Sequence, residues 1–321
     1  MNMCLATPIA LIIFNRPEHT KQVFEQIRQA RPQHLFVIAD GPRADHPEDR
    51  ETCAAARAVT DNVDWSCNVR RNYSETNLGC GRRPATGITW VFDQVEEAII
   101  LEDDCVPHPT FFSYCQELLE RYRDDRRIMA ISGDNFQFGR SRTQCSYYFS
   151  IFPHCTGWAS WRRAWQHFDY EMELLPDVIA RGYLRGILPN DTAVFAWTEK
   201  FADVYRTKDP HIWDYQWTFA CWAQGGLAVL PNVNLIRNIG YGPGATHTFD
   251  GTCNTANLPV EPMKFPLIHP EQIMANYEAD LFTLKNNFRQ PLTCKIRQSF
   301  RRIVWKLTGA GSRLSKPMPE G

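Results

Sequence analysis

The sequence predicts an α/β fold built on a mostly parallel sheet. Residues 8–14 and 35–39 are continuous apolar runs, which are typical of strands buried on both faces. Between them, Val23, Phe24 and Ile27 recur at helical spacing. A strand–helix–strand unit of this kind joins parallel strands of one sheet, so we expect helices packed on the faces of that sheet.

The elements that follow in the first part of the chain alternate in the same way. The second strand stops at Asp40, and the next residues, Gly41 and Pro42, are typical of turns. Pro17 suits the first turn of the first helix because its missing N–H is not needed there. The further predicted elements are a loop and helix at 43–57, a strand at 65–69, a turn at 77–81, a helix at 84–95 and a strand at 98–101.

The second part of the chain has a mixed pattern. Residues 147–165 are rich in aromatic side chains and glycine, and most of the ten tryptophans are interpreted as core material. The Gly-rich segment 238–248 could form a mobile lid or a sharp turn. The predicted elements are a helix at 111–122, a strand at 128–132, helices at 191–205 and 211–222, and a strand at 227–230.

Size, charge and cysteine content limit the class of protein. A chain of 321 residues is long enough for one large domain or two closely packed ones. The net charge of −1 creates no field that would attract nucleic acid, so we expect no such partner. Eleven cysteines without a C-x-x-C pair predict mostly free thiols in a reducing compartment.

The sequence also predicts a cytoplasmic location. The N-terminus lacks the basic region of a secretory signal. No apolar run reaches the ~18–20 residues that a membrane-spanning helix requires.

Three consecutive acids follow a buried strand. Glu102, Asp103 and Asp104 come directly after the apolar run at 98–101. Like charges this close repel one another unless a cation lies among them. In open α/β sheets, ligands bind beyond the carboxyl ends of the strands. The pattern therefore indicates a divalent metal that a phosphorylated substrate can reach, and the alternative is a solvated acidic turn.

The order of the motifs resembles a known family. FNRP follows the first predicted strand, ADGPR ends the second, and AIILEDD is followed by PHPTFF. This set resembles the GT-A fold nucleotide-sugar glycosyltransferases, in particular the inverting N-acetylglucosaminyltransferase I group and its bacterial relatives in surface-polysaccharide synthesis. The resemblance covers roughly residues 8–248. The sequence departs from the family in having E-D-D in place of D-x-D and no histidine on the helix before AIILEDD.

The resemblance implies a GT-A domain over residues 1–265. Its Rossmann-like half, 1–105, would bind the nucleotide sugar, and its second half, 106–265, would bind the acceptor. Residues 266–321 form a C-terminal extension with a basic amphipathic segment at 294–307. That segment could lie on the inner face of an anionic membrane or dock on the protein itself.

The resemblance also assigns roles to the three acids. Asp104 would ligate Mn²⁺ or Mg²⁺, and the ion would bridge the diphosphate of the donor. Glu102 and Asp103 would contact ribose or sugar hydroxyls, or orient the water on the metal. A structural hydrogen-bonding role for Glu102 is the alternative.

Two further residues lie at the ends of the earlier strands. In similar proteins an Arg and an Asp at the positions of Arg16 and Asp40 hold the nucleoside. The alternatives are a surface salt bridge for Arg16 and a turn-capping acid for Asp40. Arg82 and Arg83 could face the diphosphate, although a basic pair after a glycine turn is typically exposed.

The resemblance places the general base at Asp214, in the setting Trp-Asp-x-x-Trp that begins at Trp213. A carboxylate among aromatic side chains would be partly desolvated, which raises its pKa and makes it a better base. The alternative is an N-cap acid on a short helix. His247 in the Gly-rich segment would reach the metal or the phosphate, and the alternative is a solvated loop histidine.

The function implied is a metal-dependent, inverting glycosyltransferase. It would move a sugar from a nucleotide diphosphate, with UDP-sugars preferred, to a hydroxyl of a saccharide or lipid-linked acceptor in surface polysaccharide or glycolipid synthesis. A sugar-phosphate nucleotidyltransferase is one alternative, but FNRPEHT lacks the glycines of its phosphate loop. A non-catalytic, membrane-docked carbohydrate-binding protein is the other.

Overall fold

The computed structural model describes residues 4–241, 255 and 258–288. The strands within these residues are β1 (Ile9–Ile13), β2 (His34–Ala39), β3 (Asn68–Tyr73), β4 (Glu97–Glu102), β5 (Cys105–Pro107), β6 (Ile128–Ser132), β7 (Tyr147–Ser150), β8 (Trp158–Trp161), β9 (Leu227–Pro231) and β10 (Ile236–Asn238). The helices are α1 (Pro17–Ala30), α2 (Asp49–Val59), α3 (Gly79–Phe92), α4 (Thr110–Arg121), α5 (Arg162–Trp165), α6 (Leu175–Ala180), α7 (Asp191–Thr207), α8 (Asp214–Ala223) and α9 (Tyr277–Asn286).

Eight strands form one sheet in the order β3-β2-β1-β4-β8-β6-β9-β7. The first four are parallel, in the 3-2-1-4 order of a Rossmann-like half. β8 runs antiparallel to its neighbours β4 and β6. β6 and β9 are parallel to each other, and the edge strand β7 is antiparallel to β9. The prediction of an α/β fold with a mostly parallel sheet is confirmed.

Hydrophobic cores lie on both faces of this sheet, because its central strands are apolar on both sides. In β1, Ala10 and Ile12 face the core to which α3 contributes. Leu11 and Ile13 alternate with them and face the core to which α1 and α4 contribute. Eight of the nine tryptophans in the described part of the chain are buried, as expected for core material, and Trp90 is half-buried.

The third strand lies later than the predicted 65–69. Trp65, which suggested a strand there, is a buried loop residue that packs on Phe24 and donates its indole N–H to Pro32 O over 2.9 Å. The actual strand, β3, is at the edge of the sheet and is largely exposed. Its sequence, NVRRNY, therefore lacks the apolar run that marks a buried strand.

Two helices begin at positions other than those predicted. α3 begins at Gly79 rather than at 84, because the Asp40 carboxylate accepts the N–H groups of Leu78 and Gly79 and so satisfies the start of the helix. Gly79 has φ +82°, which favours glycine. α8 begins at Asp214 rather than at 211, after the turn formed by Asp209.

Residues beyond the predicted boundary at 265 pack against the main sheet. Leu267 is buried in one of the cores, and Asp280 on α9 accepts a hydrogen bond from Ser150 on β7 over 2.5 Å. Gln137 donates to Thr283 of the same helix over 3.0 Å. The division into 1–265 and 266–321 stays a prediction, and the segment 294–307 lies outside the described residues.

All nine cysteines that the structure describes are free thiols, which agrees with the expectation from their spacing. Within the described ranges, none of the helices combines the length and the apolar character needed to cross a bilayer.

Asp49 ties together the loops that leave β1 and β2. Its carboxylate is buried and accepts hydrogen bonds from Asn15 Nδ2 at 2.8 Å and from Arg43 Nε at 2.7 Å. The Arg43 guanidinium holds the pKa of Asp49 down from its ordinary value of 3.8 to about 2. The charged form of Asp49 is therefore the form that stabilises the fold.

We expect Asp49→Asn to lower the free energy of unfolding by about 1.5–3 kcal/mol at pH 7, the range for hydrogen bonds to charged groups. Because the folded-state pKa is depressed, this contribution is present above pH 3.8 and is lost as the pH falls toward 2. Urea denaturation of both proteins between pH 7 and pH 2 measures it. Asp64→Asn at an exposed ion pair is the control. If the difference in unfolding free energy between the two proteins did not change with pH, the stabilising role of the charged Asp49 would be contradicted.

Candidate functional site

The acidic triplet occupies the carboxyl end of β4, beside the end of β1. Glu102 is the last residue of β4 and is paired with Ile12 of β1. Asp103 and Asp104 form the turn into β5. Because the two strands are parallel neighbours, the residues that follow β1 lie next to the triplet, and these include Arg16.

Arg16 is held by the triplet itself. Its guanidinium binds the Asp103 carboxylate through Nη2 and Nε, and Nη2 also lies 3.2 Å from Asp104 Oδ2. The N–H of Phe14 donates to Asp103 Oδ2 over 3.3 Å. Asp103 is only 2% exposed, so its two oxygens face inward and hold Arg16 beside Asp104. Contacts of Arg16 and Asp103 with a donor stay predictions.

The surroundings of the triplet disfavour three negative charges. Burial, followed by repulsion from Asp104 and Asp103, raises the pKa of Glu102. Burial also raises the pKa of Asp103, although Arg16 opposes this shift. Three carboxylates therefore share one guanidinium, an imbalance that a divalent cation would correct.

Asp104 is the member of the triplet that fits a metal ligand. Its side chain is 16% exposed and borders the cleft, whereas that of Asp103 is buried. In the described ranges, no group of three or more His, Cys, Asp or Glu side chains gathers to hold a metal ion. A cation at Asp104 would therefore take further ligands from water and phosphate oxygens, as Mg²⁺ does in phosphate sites. His247 lies outside the described residues.

Gly240 allows a neighbouring loop to approach Asp104. β10 pairs with β5, and the next residue, Ile239, donates its N–H to Asp104 O over 2.9 Å. A Cβ on Gly240 would lie 2.1 Å from Asp104 Oδ2. Any larger residue here must displace the carboxylate. The sequence showed a Gly-rich segment at 238–248 but gave no signal for this contact.

Asp40 has a structural role in the described residues. It is 5% exposed and accepts hydrogen bonds from Gly41 N, Leu78 N and Gly79 N, at 2.9, 2.9 and 3.0 Å. This is the turn-capping alternative, and a contact of Asp40 with a nucleoside stays a prediction. Arg83 is buried, contrary to the expectation of an exposed pair, and donates to Ala39 O over 3.1 Å.

Asp214 and Asp104 line one cleft of about 450 Å³, together with Glu102. Asp214 is the first residue of α8 and is exposed, so the expected desolvation among aromatic side chains is not seen. The N-cap residue of α8 is Trp213, so Asp214 is not the N-cap acid of the alternative interpretation. The loop before it is held against α3, because Gly81 N donates to Pro210 O over 2.9 Å. This contact connects the Asp214 side of the cleft to the sheet.

Asp134 and His154 are among the polar residues of this cleft that sequence reasoning missed. Asp134 comes two residues after the end of β6, and His154 belongs to the loop between β7 and β8. Asp134 Oδ1 and His154 Nδ1 are 2.6 Å apart. A signal for Asp134 existed, since it is an acid at the end of a strand, but His154 carried none.

No family model matches the chain, and no curated protein matches it. Solved structures show distant likeness. A mannosyltransferase from Pyrobaculum calidifontis, in complex with GDP-Man and Mn²⁺, is 12% identical with a TM-score of 0.37, over 69% of this chain and 71% of its own.

Two nucleotide-using enzymes are similarly distant. A 4-diphosphocytidyl-2C-methyl-D-erythritol synthase from Anaerococcus prevotii is 9% identical with a TM-score of 0.30, over 62% of this chain and 84% of its own. A cytidylyltransferase from Leptospira borgpetersenii is 10% identical with a TM-score of 0.33, over 59% and 77%. At these TM-scores the likenesses do not bear on what this chain does, and its function must be inferred from the site.

We expect Arg16→Gln to lower the free energy of unfolding by about 3–5 kcal/mol, because it leaves the buried Asp103 carboxylate without its partner. The double variant R16Q/D103N should recover part of this loss, since the buried group is then neutral. Urea denaturation measures both. Arg28→Gln, which breaks an exposed ion pair with Asp64, is the control and should have a smaller effect. If Arg16→Gln and Arg28→Gln lowered the free energy of unfolding equally, the pairing of Arg16 with buried Asp103 would not be important for stability.

Proposed function

We propose that this chain is a metal-dependent, inverting glycosyltransferase that uses a nucleotide-diphosphate sugar. The observation that carries the proposal is the cleft, in which an acidic cluster short of positive charge and a separate exposed carboxylate lie together. The first suits a cation with a diphosphate, and the second suits a base for the attacking hydroxyl.

The donor half of the proposal rests on Asp104 and its neighbours. Asp104 would hold Mn²⁺ or Mg²⁺, and Arg16 keeps a fixed positive charge 3.2 Å from its carboxylate. When bound, the cation would offset the negative charge on the departing nucleotide diphosphate. Glu102, at the end of β4, would accept hydrogen bonds from ribose or sugar hydroxyls. UDP-sugars are the donors we propose first, and His247 a further metal or phosphate contact.

The acceptor half rests on Asp214. In an inverting transfer, a hydroxyl attacks the anomeric carbon from the face opposite the leaving group, so the base must lie on that opposite face. We assign this role to Asp214 at the start of α8, whose exposure lets an acceptor hydroxyl reach it. Asp214 would take the hydroxyl proton as the new glycosidic bond forms. The acceptor would be a saccharide or a lipid-linked saccharide of surface polysaccharide or glycolipid synthesis.

The cellular setting is part of the same proposal. We place the protein in the cytoplasm, with the segment 294–307 as a peripheral contact to the inner face of the membrane. The basic and apolar residues in its sequence suit an anionic lipid surface.

We expect Asp104→Asn to weaken Mn²⁺-dependent UDP binding at least about tenfold, because even the loss of an outer-shell group costs that much in metal sites. Calorimetric titration of UDP with and without Mn²⁺ measures the change. Asp124→Asn, at an exposed acid outside the cleft, should leave the affinity unaltered.

Gly240→Ala should also weaken that affinity, since its Cβ displaces Asp104. Gly186→Ala, where a Cβ meets nothing within 4 Å, is its control. Unchanged UDP–Mn²⁺ affinity in the Asp104 variant would remove the proposed metal site.

We expect Asp214→Asn to leave UDP–Mn²⁺ affinity unchanged and to reduce turnover by about 10²–10⁴-fold, the range for loss of a general base. Turnover is measured as release of UDP, GDP or dTDP from a panel of nucleotide sugars with Mn²⁺. Full turnover in this variant would exclude Asp214 from the mechanism. Release of sugar phosphate and nucleoside monophosphate instead would indicate nucleotidyl chemistry.

A further inference from the structure

Asp134 and His154 form a buried polar pair in the wall of the cleft. Their exposed fractions are 1% and 8%, and His154 Nδ1 lies 2.6 Å from Asp134 Oδ1. Both residues line the cleft that contains Asp104 and Asp214. The proposed mechanism gives neither of them a role.

The fold holds this pair in place through the backbone. The Ser132 hydroxyl accepts from His154 N over 3.1 Å and donates to His154 O over 2.9 Å. Gly133 N donates to Gly157 O over 2.8 Å, which joins the loop after β6 to the loop before β8. Phe136 stacks on the imidazole with a centroid distance of 4.7 Å. The imidazole is therefore fixed in position and orientation.

Two atoms of the pair have no hydrogen-bond partner among the described residues. These are His154 Nε2 and Asp134 Oδ2, both buried. A buried polar atom without a hydrogen-bond partner costs free energy. A fixed pair with two such atoms therefore indicates that a ligand or a water molecule binds to them. In the neutral imidazole whose Nδ1 donates to Asp134, Nε2 is a hydrogen-bond acceptor. Two acceptors in one pair, one of them on a carboxylate, suit hydroxyl groups and disfavour phosphate.

The pair and Asp214 line the same cleft. Cys155, the residue after His154, is half-buried and lines this cleft as well. A hydroxyl-bearing ligand held by Asp134 and His154 would therefore share the cleft with the proposed base.

We propose that Asp134 and His154 bind hydroxyl groups of the acceptor sugar and orient it toward Asp214. This inference rests on the proposed function, because it takes Asp214 as the base. Phe136, which also lines the cleft, offers the apolar face that sugar rings commonly contact. The ligand class is a neutral pyranoside.

The test uses the full chain with UDP and Mn²⁺ and a panel of methyl glycosides of glucose, galactose, mannose and N-acetylglucosamine. Histidine ¹⁵N spectra report on Nε2 of His154, whose resonance is assigned by its loss in His154→Gln. We expect at least one glycoside to shift that resonance in the unsubstituted protein. The shift on glycoside binding is read in the unsubstituted protein, so only the assignment of the resonance uses a variant.

Affinity measurements provide the second arm. His154→Gln and Asp134→Asn should weaken glycoside binding about tenfold, the loss of a hydrogen bond to a charged or fixed group. UDP–Mn²⁺ affinity should stay within about twofold, because neither residue is part of the triplet. His108→Gln, a half-buried histidine that bonds Thr110 outside the cleft, is the matched control and should change neither affinity.

The outcomes separate the two proposals. If UDP–Mn²⁺ binds but no glycoside shifts the His154 resonance, the acceptor role of the pair is overturned and the proposed function stands. A crystal with glycoside bound elsewhere and only water on Nε2 and Oδ2 would overturn it equally. If glycosides shift His154 while UDP–Mn²⁺ does not bind, the pair is a sugar site and the proposed donor chemistry fails.

Discussion

The contact of Arg16 with Asp103 and Asp104 is the interaction on which the rest of the site depends. Consecutive carboxylates at a strand end repel one another, and the fold tolerates them because a guanidinium from the neighbouring strand end lies among them. Asp103 turns inward and holds Arg16. Asp104 therefore borders the cleft, where its carboxylate can bind a cation. The side-by-side order of β1 and β4 makes this arrangement possible.

Close backbone contacts at glycines bring separate parts of the chain to the same cleft. Gly81 places the start of α3 against the loop before Asp214, where a Cβ would lie 2.4 Å from Pro210 O. Gly240 lets the loop after β10 approach Asp104, where a Cβ would lie 2.1 Å from Asp104 Oδ2. Both contacts leave no space for a side chain. The cleft therefore owes its shape to backbone packing as well as to its charged groups.

Acids at strand ends serve two purposes in this protein. Asp40 and Asp103 are buried and satisfy N–H groups or a guanidinium, so they fix the loops. Asp104 borders the cleft, and Asp134 combines both features, since one of its oxygens is bonded to His154 and the other has no partner among the described residues. The division of roles follows from which oxygens the surrounding protein already satisfies.

The sequence by itself determined the α/β class, five of the ten described strands, six of the nine described α-helices and the position of the acidic triplet, because apolar periodicity and strand ends are local properties. It did not predict the short strands β5, β7, β8 and β10. It failed at β3, an exposed edge strand, and at the start of α3, where Asp40 caps from a distant segment. Only the tertiary structure decided which acids turn inward and that His154 meets Asp134. Side-chain direction and burial depend on non-local packing, which no local pattern encodes.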